Sequence, residues 1–233
     1  MYGLIAKIQA ERMGEMLDDK HPTHEVRPYV DLHTVYPDEE IKSDTYTISK
    51  FELSVERVRI DKVRNMMDGN GWLTNGLQPN FPYVRLYKNG EGVMMSDTPM
   101  ERNSNRDFVK KANGDVLIFG LGLGLIILPL LQAEDVKTIT VVELHQDLID
   151  VVEPILKAQD HADKLSIVQG DCFEYHKDLP KEKKWDCVYG DIWIDINGDN
   201  YPEMKTITKN FKHRINRKNP NCILDHWLKT EMQ

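Results

Sequence analysis

The sequence predicts an α/β fold, a parallel sheet with helices on both faces, preceded by a small α+β region that contains a β-hairpin. Three observations predict it. Short apolar runs at 116–119, 138–142, 165–168, 185–189 and 222–224 alternate with stretches of helical periodicity, as parallel strands and their crossover helices do. Three glycines, Gly120, Gly122 and Gly124, follow the first run at once. Acids close three successive runs: Glu143, Asp171 and Asp191.

Size and composition set the frame. A chain of 233 residues can bury a substantial core in one large domain or two small ones. Charged residues at 29% and hydrophobic ones at 40% describe a globular protein rather than a disordered one. The formal net charge of −8 argues against non-specific nucleic-acid binding by the whole surface. No apolar run approaches the roughly 18 residues that a membrane span needs. The first 20 residues lack the basic start and long apolar centre of a signal peptide, so a cytoplasmic protein is expected. Cys172, Cys187 and Cys222 are widely separated, with no CxxC spacing, and read as reduced thiols. His21, His24 and His33 cluster loosely without a cysteine partner or an HxxxH spacing. They read as surface histidines, and no metal site is expected.

Taken in order, residues 3–17 carry a loose apolar stripe (Leu4, Ile5, Ile8, Met13, Leu17) and predict a short helix. Residues 21–44 hold three prolines and many acids with no sustained period, and read as an irregular connector. A strand is expected over 46–53. Ser54 then caps a helix to about Met67, with Val55, Val58, Lys62, Val63 and Met66 on one partly apolar side. Alternation of Phe51, Leu53 and Val55 leaves a strand open there too. Residues 68–80 are rich in Gly and Asn and form a loop. Tyr83–Tyr87 and Gly92–Met95 then flank Asn89-Gly90, whose positive φ suits a hairpin turn. A short helix leads to Gly114, which suits a helix end. The domain boundary is placed near Asp97, giving an N-terminal region 1–97 and a sheet domain 98–233. The N-terminal region has a substrate lid or an oligomer contact as its open roles.

Beyond the second strand, Leu148, Val151, Val152, Ile155 and Leu156 mark an amphipathic helix with a bend expected at Pro154. Met204, Ile207, Phe211 and Ile215 recur at helical spacing. Lys205, Lys209, Lys212, His213, Arg214, Arg217 and Lys218 give that helix a basic, solvated face.

The chemistry sits between the first strand and Glu143. Glycine there lets the backbone approach a ligand where a Cβ would collide. A nicotinamide or flavin site would show G-x-G-x-x-G, but Leu125 holds the last position and the third glycine comes one residue early. Glu143 lies 19 residues past Gly124 at a strand end, where an acid can bind both hydroxyls of a ribose. With Asp171 and Asp191 at the next two strand ends, three acids line the edge where a Rossmann-like sheet binds its ligand. A nucleoside site follows.

GLGLGL, VVELHQDLI, QGDCFEY and WDCVYGDIW resemble successive motifs of class I S-adenosylmethionine-dependent methyltransferases. The resemblance covers residues 104–227. It implies that the loop Gly120, Leu121, Gly122 and Gly124 contacts the methionine part of S-adenosylmethionine. It implies that Glu143, with Leu144 beside it, holds the ribose. Asp171 would lie near the adenine amino group beside Cys172, and Asp191 near the transferring methyl. A hairpin region followed by this sheet also resembles spermidine synthases, which transfer an aminopropyl group from decarboxylated S-adenosylmethionine. The chain is similar, too, to small phage and bacterial proteins labelled methyltransferase or spermidine-synthase-like, which share an MSDTP…E segment and DIW.

Three departures shape what the resemblance implies. The acid of a GGGDG-like loop is replaced by an apolar residue here. The D-x-x-D of the fourth strand is instead Asp191-Ile-Trp-Ile-Asp195, one residue longer. The sequence runs only nine residues past Leu224, so the final two strands usual in a class I methyltransferase sheet are not expected. Methyl transfer therefore ranks first, with Asp191 as the catalytic group. Aminopropyl transfer and non-catalytic cofactor binding are the alternatives. Trp193 either stacks on a planar acceptor or packs its loop, and Asp195 joins it as a substrate candidate. Asp97, Glu101 and Arg102 either lid the cofactor or serve as turn and cap residues. The acceptor, small molecule or macromolecule, is not written in these motifs. A homo-oligomer is open, and nucleic-acid or membrane partners are not expected.

Overall fold

β-Branched and aromatic residues alternate along the two strand-like stretches of the first half, and they pair. The computed structural model describes residues 27–195 and 198–228. In it β1 (Ile41–Lys42), β2 (Tyr46–Phe51), β3 (Tyr83–Lys88) and β4 (Gly92–Ser96) form one antiparallel sheet in that order. Gly90 and Gly92, at φ of 84° and 118°, make the reversal between β3 and β4. The helix expected at residues 3–17, and His21 and His24, lie outside the described residues.

Ser54 caps α1 (Val55–Met67) by accepting the Arg57 N–H at 3.1 Å, so the helix alternative holds after residue 54. Its apolar side is a different matter. Only Val58 is buried, whereas Val55, Val63 and Met66 face solvent. The connector at 27–40 is irregular apart from one turn of 3-10 helix at Leu32–Thr34. It is nevertheless part of the core, with Leu32 and Tyr36 buried. The His33 ring meets Phe81 edge-on at 5.0 Å.

The second half alternates as its periodicity requires. After α2 (Pro99–Lys111) come β5 (Gly114–Phe119), α3 (Ile127–Leu131), β6 (Val136–Glu143), α4 (Gln146–Lys157), β7 (Leu165–Gln169), β8 (Cys187–Gly190), α5 (Tyr201–Phe211) and β9 (Ile223–His226). The strands form a parallel five-stranded sheet in the order β7-β6-β5-β8-β9. Two shifts of boundary have a visible cause in the packing. Trp185 makes an isolated bridge to Ile215 and does not belong to β8. Gly114 opens β5 rather than closing α2, because at φ 63° its missing Cβ leaves room for the Asp186 carboxylate.

Successive residues of β5 point to opposite faces, and both faces are covered. Val116 and Ile118 join Phe108 of α2 and Leu148, Val152 and Leu156 of α4. Leu117 and Phe119 join Ile207 and Phe211 of α5, with the Phe119 and Phe211 rings 4.8 Å apart. The first core cluster also takes in Tyr46, Ile48, Val84 and Leu86 of the antiparallel sheet. The seam between the sheets is polar at one point. Asp97, fully buried, accepts the Val84 N–H at 2.7 Å and the Leu32 N–H at 3.3 Å and pairs with Arg102 at 3.0 Å. Among the described residues no helix is long and apolar enough to cross a membrane.

Candidate functional site

The chain leaves β5 towards β6 and β7 on one side, while β8 and β9 lie on the other. The two halves part between the carboxyl ends of β5 and β8, which is where an open parallel sheet has its ligand crevice. Gly120 and Asp191 are the first residues past those ends, and the Asp191 N–H donates to Phe119 O at 2.8 Å.

All three loop glycines have positive φ: 98° at Gly120, 49° at Gly122 and 73° at Gly124. A Cβ at each would collide with the protein itself: with the Asp191 carbonyl, the Met95 sulfur and the Leu156 side chain respectively. The glycine requirement is thus already met by the chain's own packing. Leu121, Leu123 and Leu125 point inward and are buried. The loop is held from three directions. The Tyr36 hydroxyl donates to Leu123 O at 2.9 Å, the Leu123 N–H reaches the Met95 sulfur at 3.2 Å, and the Leu121 N–H reaches Glu143 Oε2 at 3.0 Å. The helix expected after the loop is only five residues long and begins at Ile127. Its first N–H groups are not free for a ligand: those of Ile127 and Leu128 donate to Gly124 O at 3.0 and 3.1 Å.

Glu143 is 7% exposed, and its second oxygen accepts the His145 N–H at 2.9 Å. Each carboxylate oxygen therefore takes one backbone N–H and keeps lone pairs for further donors. Leu144 beside it is exposed. Register brings the next acid alongside: Glu143 pairs with Gln169, and the Gly170 N–H donates to Glu143 O at 2.8 Å. Asp171 follows, exposed, with Oδ1 accepting the Phe173 N–H at 2.8 Å. Cys172 is buried; burial, reinforced by Asp171, pushes its thiol up to about 12, so it is not a nucleophile at neutral pH.

The other side of the crevice is built by α2 against β8. Glu101, Asn105 and Phe108 recur at helical spacing and share a face. Phe108 stacks on Tyr189 with centroids 4.0 Å apart, and the Tyr189 hydroxyl donates to Asn105 Oδ1 at 2.7 Å. Two positions beyond Tyr189 is Asp191, and one turn before Asn105 is Glu101. Burial pushes the Asp191 carboxyl up to about 7. Burial and then the Asp191 charge push Glu101 up to about 8, against one hydrogen bond from the Ser96 N–H. The Tyr29 hydroxyl lies buried with no hydrogen-bond partner among the described residues, within the field of Asp191 and Glu101.

Trp193 is half-buried. Its indole N–H donates to Glu203 Oε2 at 2.7 Å, and its ring meets His226 edge-on at 5.8 Å. Asp195 is exposed. The basic stretch near α5 is not one helix face. The helix ends at Phe211, and the Arg214 guanidinium turns inward to the carbonyls of His176, Leu179 and Pro180. Among the described residues no group of His, Cys, Asp and Glu could hold a metal ion.

Sequence reasoning found the strand-end acids because they sit at strand ends. Glu101 carried a signal only as a cap or lid residue, and Tyr29, Tyr36 and Met95 carried none. These depend on how residues 27–96 fold against the sheet domain.

A family model described as "Spermine/spermidine synthase domain" matches residues 94–213. No curated protein matches the sequence. Among solved structures, the spermidine synthase from Thermotoga maritima is similar at 16% identity and TM-score 0.43, covering 74% of this chain and 53% of that one. The CcbJ methyltransferase from Streptomyces caelestis is similar at 19% identity and TM-score 0.32, covering 42% of this chain and 38% of that one. The precorrin 8w decarboxylase from Methanobacterium thermoautotrophicum is similar at 21% identity and TM-score 0.35, covering 52% and 59%. The chain thus spans between 38% and 59% of these three structures.

Proposed function

The chain belongs to the spermine/spermidine synthase domain family, and from that premise we propose that it transfers an alkyl group from an adenosyl sulfonium, methyl from S-adenosylmethionine ranking first. The observation that carries the reading is the crevice between β5 and β8. A nearly buried carboxylate, Glu143, fastened to the loop through the Leu121 N–H, stands on one side and a desolvated carboxyl, Asp191, on the other. The residues fit the group. Glu143 retains lone pairs for two ribose hydroxyls, and acids at the crevice suit a cationic sulfonium where a phosphate would be repelled.

A bound sulfonium supplies an electrophilic carbon. The chain's own residues then have two tasks. Glu143 and the loop hold the nucleoside, so that the acceptor meets that carbon in line. Asp191 orients an N–H or O–H acceptor and takes its proton. The choice of methyl rests on Leu123. It is buried where a GGGDG-like loop has its acid, so the loop offers no carboxylate to the ammonium of an aminopropyl donor.

Aminopropyl transfer is the second reading, favoured by the family match and by Glu101 beside Asp191, two carboxyls suited to an amine-bearing substrate. Calorimetry with S-adenosylmethionine, decarboxylated S-adenosylmethionine and NAD tests both. Tighter binding of the first supports methyl transfer, and preference for the second promotes the alternative. Binding of neither sulfonium would sink the family of readings. Glu143→Ala should weaken sulfonium binding by roughly 2–5 kcal/mol.

A further inference from the structure

We propose that Tyr36 and Met95, one from the connector and one from β4, are positioning residues for the crevice: they clamp Leu123 at the tip of the glycine loop, and through it they keep Leu121 and Glu143 in the arrangement that holds a ligand. The root of the loop is tied by the parallel sheet and by the loop itself. The Gly120 N–H donates to Val142 O, the Leu121 N–H to Glu143 Oε2 and the Gly124 N–H to Leu121 O, each at 3.0 Å. The tip is held differently. Leu123 is fully buried, so its peptide groups need partners inside the protein. Helix α3 does not serve its carbonyl, because the Ile127 and Leu128 N–H groups both go to Gly124 O. The partners come from far along the chain. The Met95 sulfur takes the Leu123 N–H at 3.2 Å, and the buried Tyr36 hydroxyl donates to Leu123 O at 2.9 Å.

The same contacts shape the loop. Gly122 turns at φ 49°, and the Met95 sulfur fills the space that a Cβ there would need. Without that sulfur, glycine has other conformations open to it, and a turn at Gly122 carries Leu121 with it. Leu121 is the residue whose N–H holds one oxygen of Glu143. The other oxygen is held by the His145 N–H, and the antiparallel sheet bears on that segment as well. The Tyr46 ring of β2 meets the His145 ring edge-on at 5.8 Å, and the Ser43 hydroxyl donates to Asp147 Oδ2 at 3.3 Å. Both backbone segments that bond Glu143 therefore rest on the first half of the chain. Tyr36 and Met95 act on a ligand only through the loop and the carboxylate.

The alternative is that these contacts do no more than join the two sheets. In that role their loss costs stability and leaves the partners of Glu143 as they were. A control variant separates the two. Val58 lies in a different core cluster, with Leu77 and Tyr83, so Val58→Ala loosens the first half of the chain without touching the loop.

Only the ligand here rests on the transfer reading; the hold on Leu121 belongs to the free protein and is tested there. Tyr36→Phe keeps the ring and removes the donor, and Met95→Leu keeps an apolar side chain of similar size and removes the sulfur. Native-state amide hydrogen exchange, followed by NMR with no ligand present, reads the Leu121 N–H, and calorimetry with S-adenosylmethionine reads affinity. In both variants Leu121 should exchange about tenfold faster than in Val58→Ala, and S-adenosylmethionine should bind roughly five- to tenfold more weakly, the scale of one hydrogen bond. Either variant suffices if the other does not fold. Leu121 protection no lower in either variant than in Val58→Ala overturns the proposal. So does affinity that stays at the wild-type value in the variants, or that falls as far in Val58→Ala. A wild type that binds no S-adenosylmethionine removes the transfer reading, while the exchange of Leu121 still decides the clamp.

Discussion

Strands β6 and β8 flank the same central strand, and an acid stands at the carboxyl end of each, yet Glu143 and Asp191 occupy opposite environments. Glu143 receives the Leu121 and His145 N–H groups, one on each oxygen. Asp191 lies near the low-polarity wall of Tyr29 and Tyr189, and burial raises it. At one strand end the backbone pays the desolvation of a charge; at the other the charge itself is made conditional. Within the proposed function, the Glu143 side suits holding a ligand and the Asp191 side moving a proton.

The largest effect should come from the residue that joins the two ends. Gly120 accommodates the Asp191 carbonyl and donates its own N–H to Val142 O at 3.0 Å. A methyl there meets backbone, which cannot step aside, at a φ of 98° that L side chains rarely adopt. Gly120→Ala should lose about 3 kcal/mol or more in urea denaturation. Gly124→Ala meets the movable Leu156 side chain instead and should lose about 1–2 kcal/mol. Equal losses would mean that the contact with Asp191 is not what demands Gly120.

Next in size, the same amide substitution should act with opposite sign at the two ends. Glu143→Gln presents an NH2 where an N–H donor needs an acceptor, and should destabilise by about 1–3 kcal/mol at neutral pH. For Asp191 the sign follows from its raised value in the folded protein. Below about pH 4 the group is neutral in both states and its burial carries no charge penalty. As pH rises towards 7 the unfolded chain ionises first, and folded stability falls. Asp191→Asn removes that loss, so the variant should gain on the wild type by about 2–4 kcal/mol between pH 4 and pH 8. Glu101→Gln should do the same through about pH 8. Chemical denaturation across this range measures both, and a wild type whose stability rose from pH 5 to 8 relative to Asp191→Asn would break the contrast.

That contrast also marks what the sequence could and could not tell. Glycines after a strand and acids at strand ends are local signals, so β5 to β9, Glu143, Asp171 and Asp191 were legible one after another. The boundaries that slipped, Trp185 and Gly114, did so because their roles are set by Ile215 and Asp186, far along the chain. Neither the inward turn of Arg214 nor the exposure of Val55, Val63 and Met66 follows from periodicity, which records a face and not what covers it. The charge of Asp191 acts on Glu101 across 90 positions of sequence. Only the fold shows that β8 lies under the face of α2 that carries Glu101 and Asn105.

The smallest effect isolates that face. Tyr189→Phe keeps the stack on Phe108 and removes only the hydroxyl that bonds Asn105 at 2.7 Å, leaving a buried amide oxygen without its donor. The loss should be about 1–2 kcal/mol in stability. Its consequences should stop at the Asp191 end, since Glu143 is bonded to the loop and to His145 and not to α2. Affinity for S-adenosylmethionine should then change by less than about 0.5 kcal/mol, the additivity expected of sites without shared partners. The carboxyl titrations of Asp191 and Glu101 should shift, because α2 can rotate once its polar anchor is gone. A Tyr189→Phe variant that binds the sulfonium much more weakly, with both titrations unchanged, would show that the crevice works as one unit and that its two carboxylates are not separately built.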